Sequence, residues 1–144
     1  MELGNAEIQE LIELGVKTIK KFKFDIDGKK QELKWSPISH QEARMAYFRA
    51  LQFIGDIAKE YISTDPDKRE GMERPAVEEF LVFNYHHAVF SIVPALIKHY
   101  PGITVEQVKA LPIDHDIFHR EIAVASGILE GQENVGKFPA KSKS

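Results

Sequence analysis

The sequence contains no cysteine. That excludes disulfides and thiolate metal centres, and it fits a reducing compartment. It has no basic excess either: 19 Lys and Arg stand against 22 Asp and Glu, a net charge of −3. A general nucleic-acid binder needs the opposite sign. No stretch reads as apolar over the ~20 residues that a membrane span requires. The start, MELGNAEIQE, has neither the basic region nor the short apolar segment of a secretory signal. GxSxG, HExxH and glycine-rich phosphate-loop patterns are missing, as is any cysteine nucleophile. What is present is 43% apolar residues in 144, enough to build the core of one domain.

Along the chain, Asn5 can cap a short helix to Val16, with Ile8, Leu11, Ile12 and Val16 at helical spacing. From Lys21 to Ile26 apolar and polar residues alternate, the pattern of a half-buried strand. Asp27-Gly28 suits the positive backbone angles of a tight turn, and Gln31 to Trp35 alternates again, so a two-stranded hairpin is expected at about 21–36. A hairpin is marginal alone, so Phe22, Phe24, Leu33 and Trp35 are expected to lie against helices. The lysines of Lys20-Lys21-Phe22-Lys23 read as an outer strand face that discourages edge pairing.

Pro37 ends the second strand. Ser39 and Glu42 form a capping-box pattern, and the helix behind them is expected to run to about Tyr61. Its apolar stripe is wide: Met45, Phe48, Leu51, Ile54, Ala58 and Tyr61, flanked by Tyr47, Ala50, Phe53 and Ile57. The segment from Ser63 to Arg74 is a charged loop and the best candidate for mobility. A long central helix should start near Pro75 and stop near His99, before Pro101-Gly102, with Pro94 kinking or splitting it near Ile92. Thr104 and Gln107 open a short helix ending near Leu111, and Asp114 can cap the last one. The fold class expected is mainly α: one domain over residues 1–130, of four to five helices with an N-terminal hairpin. Residues 131–144 read as a disordered tail.

Six histidines invite a metal reading. His115 and His119 are four apart, so a helix puts them on one face. A site would need a third ligand from His86, His87 or His99. His86 and His87 are adjacent and diverge by about 100° on a helix, so at most one can join. The ordinary reading is partly buried or solvated histidines satisfied by hydrogen bonds. The aromatics of the two long helices are mostly core, and any that remain exposed would mark a partner surface.

The order of segments resembles a known family. A hairpin built on FKFDIDGKKQELKW leads to a polar-start long helix, a charged loop and a long helix ending HYPG. TVEQVKALP, a final helix and a loose tail follow. This is similar to the tail assembly chaperones of long-tailed phages, of the lambda minor tail protein G type, over nearly the whole chain from Phe22. Gly136-Lys137 near the end matches the dipeptide over which that family's ribosomal frameshifting occurs. The resemblance implies a non-enzymatic protein without cofactor. It would bind the tape measure protein, help recruit the major tail protein in the bacterial host cytoplasm, and be absent from the mature virion. Self-association is left open; nucleic acid and membrane are not expected partners. Candidate partner-binding residues are Tyr47, Phe48, Leu51, Phe53 and Ile54. The competing reading is a small helical metal-binding protein or metal-dependent hydrolase using the histidines, with no metal ligands assigned under the first reading.

Overall fold

The computed structural model describes residues 4–10 and 18–128. The second half of the expected N-terminal helix and residues 129–144, which include the expected tail 131–144 and Gly136-Lys137, lie outside these residues; residues 5–10 are helical. Strands β1 (Lys20–Ile26) and β2 (Lys29–Trp35) pair antiparallel, and five helices follow: α1 (His40–Leu51), α2 (Asp56–Ser63), α3 (Val77–Ile97), α4 (Val105–Ala110) and α5 (His115–Ala125). The protein is mainly α, with a strand hairpin before its long helices.

Local chemistry explains most boundaries. The hairpin turns at Asp27 (φ 50°) and Gly28 (φ 78°). Two successive positive φ values make a turn whose twist matches the strands. In the register, Phe22 faces Leu33 and Lys20 faces Trp35. Ser39 and Thr104 both close complete capping boxes, with Glu42 and Gln107 respectively. Asp114 accepts from the Ile117 amide and so caps α5. Each box satisfies two amides that a helix start would otherwise leave open.

Three expectations need correction. The helix from Ser39 does not reach Tyr61: it ends at Leu51, and a second begins at Asp56. Between them the chain tightens into three-residue turns, with Phe53 N donating to Ala50 O, and Gly55 is extended (φ −75°, ψ 170°). Counting residues 5–10, the described residues therefore hold six helices rather than four or five. Second, α3 does not split near Ile92: it runs on through Pro94 as one helix to Ile97. Packing overrides the lost hydrogen bond, because Ile92, Ala95 and Leu96 on the turns around it are fully buried. Third, α3 is long and apolar enough, by length and composition, to span a membrane. A central helix packed on several sides meets the same description, and here eight of its residues are buried within the domain.

Two apolar clusters use α3 as their common wall. One gathers Phe22 and Trp35 from the hairpin, Val89, Ile92 and Leu96 from α3, Val108 from α4, and Phe118 and Ile122 from α5. Phe118 stacks on Phe22 at 4.3 Å and meets Trp35 edge-on at 5.6 Å. The other gathers Ala46, Ala50 and Leu51 of α1, Ile54, Ala58 of α2, and Phe83 and Phe90 of α3. The hairpin is fastened to the end of α3. Ser36 N donates to Ala95 O, a carbonyl that the helix end leaves free, and Lys34 N donates to the Tyr100 hydroxyl. The charged loop is tied down too: a three-residue turn at Pro66–Lys68 delivers Arg69, whose guanidinium donates to Tyr61 O and Ile62 O.

Candidate interaction surface and histidine pair

Helix α1 runs antiparallel along α3. Glu42 lies near Lys98, Arg49 over Phe90, and Phe53 over His86. At the Ser39 end lies a groove of about 830 Å³ between the two helices. Its walls are Ile38, Met45 and Ala46 on one side and Phe90, Val93, Pro94 and Ile97 on the other. Arg49 caps one wall with its guanidinium 4.1 Å from the Phe90 ring. Lys98 closes the rim, donating to Pro37 O and lying 4.0 Å from Glu42. Chemically the groove suits an apolar side chain; Met45, flexible and polarizable, can adapt to its shape.

The expected partner residues divide by burial. Phe48 and Phe53 are each 50% exposed, and Met45 on the groove wall is 52% exposed. Leu51 and Ile54 are buried in the second cluster and offer nothing to a partner in this conformation. Tyr47 turns inward: its ring meets Phe83 and His87 edge-on, and its hydroxyl donates to Ile62 O. Phe53 lies flat on His86, rings 3.8 Å apart at 12°. That stack covers His86 Nδ1, which has no hydrogen-bond partner. Both long helices are where a partner surface is expected, but Val93, Pro94 and Ile97 of α3, which line the groove, are not among the candidate residues that spacing singles out.

The histidines do not assemble as a metal site would need. His115 and His119 share a helix, but the Nε2–H of His115 donates to Val108 O at 2.7 Å. His119 instead meets His87 of α3, rings 4.5 Å apart and near-perpendicular. His99 Nε2 lies 2.8 Å from Ser36 Oγ. Since the Ser36 hydroxyl donates its one proton to Thr18 O, His99 is the donor of that pair. Among the described residues no three His, Asp or Glu side chains converge on a point that could hold a metal ion.

Burial holds the His87–His119 pair neutral. Desolvation, with a smaller contribution from His119, lowers the His87 pKa to about 3. Burial also lowers His119, partly offset by Asp116 and reinforced by Arg120. His86 is lowered by burial and by Lys109, and burial raises the Glu121 carboxyl. Two imidazoles in contact cannot both be charged without a carboxylate between them. Compared with known protein families, curated proteins and solved structures, the chain matches none.

Proposed function

We propose that this chain is a non-enzymatic interaction protein, a tail assembly chaperone of a long-tailed phage. In this reading it coats the tape measure protein in the host cytoplasm, helps recruit the major tail protein, and leaves before the virion is complete. The observation that carries the proposal is the apolar groove between α1 and α3, with Met45 on its wall and Phe48 and Phe53 also half exposed. A long amphipathic helix is held by such a face: apolar anchors in a groove, polar residues around them. The segment order and Gly136-Lys137 support the same reading from the sequence.

Co-expression with the product of the very long gene expected beside it tests the proposal. The wild-type chain should keep that product soluble and co-purify with it. Phe48→Asp with Phe53→Asp should abolish co-purification while leaving helix content unchanged, since both side chains are half exposed. If the long product stays insoluble with the wild-type chain and no complex forms, the reading is wrong.

A further inference from the structure

One face of α3 changes character halfway along. In the C-terminal half, Ala88, Val89, Ile92, Ala95 and Leu96 lie on it and are buried. In the N-terminal half the same helical positions carry Val77, Leu81, Val82 and Tyr85, which are 68%, 62%, 39% and 37% exposed. Val77 and Leu81 are the barest of them, and Tyr85 is partly covered by His115 of α5. They are spaced four and three apart, so they make a stripe about 12 Å long on one side of the helix.

The charges at the two ends of this stripe are opposite. Glu78 is exposed in the first turn, in line with Val82 and Tyr85 at i+4 and i+7. At the other end stands Lys109, half buried at the end of α4. Its position is fixed by two observations: it acts electrostatically on His86, and the neighbouring Val108 carbonyl holds His115, whose ring packs on Tyr85 at 5.6 Å. Glu78 and Lys109 form no ion pair among the described residues. Val82 lies four residues from Glu78 and four from His86, midway between the charges.

We propose that this stripe binds the same stripe of a second copy of the chain. A two-fold axis through Val82 crosses the two helices antiparallel. It sets Val82 of each copy against Val82 of the other, with Leu81 and Tyr85 alongside, and it brings Glu78 of each copy to the His86 end of the second, where Lys109 stands. A two-fold interface repeats every contact, so one self-complementary stripe yields two ion pairs flanking an apolar seam. A foreign helix would need no such end-to-end reversal of charge, which is why a second copy is the occupant assigned. Two helical turns give less than the roughly 800 Å² per partner of a tight complex. The dimer is therefore weak, with a dissociation constant on the order of 0.1 mM. It lies apart from the groove beside α1 and does not depend on the function proposed above.

Sedimentation velocity of the full chain from 10 µM to 1 mM, values that bracket that dissociation constant, should show the mass shifting from one copy to two. Leu81→Asp should stay a single copy throughout while keeping its melting temperature, because Leu81 is exposed. Glu78→Lys and Lys109→Glu should each weaken association several-fold, and the double exchange should restore it. A wild-type chain that remains single at 1 mM overturns the proposal. So does association that survives Leu81→Asp, or a double exchange that fails to recover what the single ones lost.

Discussion

Phe118→Ala should cost about 3–5 kcal/mol of folding stability, the range for removing a large aromatic from a packed core. Phe118 is fully buried, and its ring is the meeting point of Phe22 and Trp35, so truncation leaves both without a packing surface. The neighbours cannot close the gap cheaply: Phe22 and Trp35 are held in a hairpin whose end is bonded to α3 through Ser36 and Ala95. For a domain whose total stability is typically about 5–15 kcal/mol, such a loss removes a large part of the margin. Urea denaturation followed by circular dichroism measures it directly. Phe48→Ala is the matched control: a half-exposed phenylalanine should cost no more than about 0.5 kcal/mol. Equal losses for the two variants would mean that the hairpin does not pack as described.

Stability should also fall as the solution is acidified, and His87 should be the main histidine responsible. Its pKa is about 3 in the folded chain, against an ordinary value near 6.5 when unfolded. The unfolded chain therefore binds a proton between pH 6.5 and 3 that the folded chain refuses. Stability is complete above pH 6.5 and declines as pH falls through this window. From His87 alone the decline is about 1.4 kcal/mol per pH unit, or roughly 2.5 kcal/mol by pH 4.5. His119 acts in the same direction. His87→Phe keeps an aromatic ring among Tyr47, Phe83 and His119 and removes the titration. Denaturation midpoints at pH 7, 5.5 and 4.5 should fall steeply for the wild-type chain and much less for the variant. Identical slopes would show that the imidazole is not buried as the structure has it.

Where a residue's role depended on its immediate neighbours, the sequence was informative. Asp27-Gly28, the two capping boxes and Asp114 each act over four residues, and each is where the pattern puts it. What depended on distant packing was not legible. Leu51, Ile54 and Ala58 keep helical spacing across a break, because α1 and α2 both press on the same helix. Periodicity records the common neighbour, not the continuity of the helix; Gly55 before Asp56 was the one local hint. His115 and His119 were paired by their spacing, yet the end of α4 claims the first and α3 supplies His87 to the second. Burial of Leu51 and Ile54, against exposure of Phe48 and Phe53, follows from how far α2 turns at residues 52–55. No spacing rule contains that angle.

The shared wall between the two apolar clusters has a dynamic consequence. Val89 and Phe90 are adjacent in sequence but belong to different clusters, so the halves of the molecule touch mainly through one helix. Each half is a candidate cooperative unit in hydrogen exchange, able to open without the other. Swinging α1 and α2 away would bare Phe83 and Phe90 while the stack of Phe22, Phe118 and Trp35 stayed closed. Amides of α1 and α2 would then exchange in one tier and those of the hairpin and α5 in a slower one. A protein built this way carries its apolar reserve behind a door on one side, with the frame intact on the other.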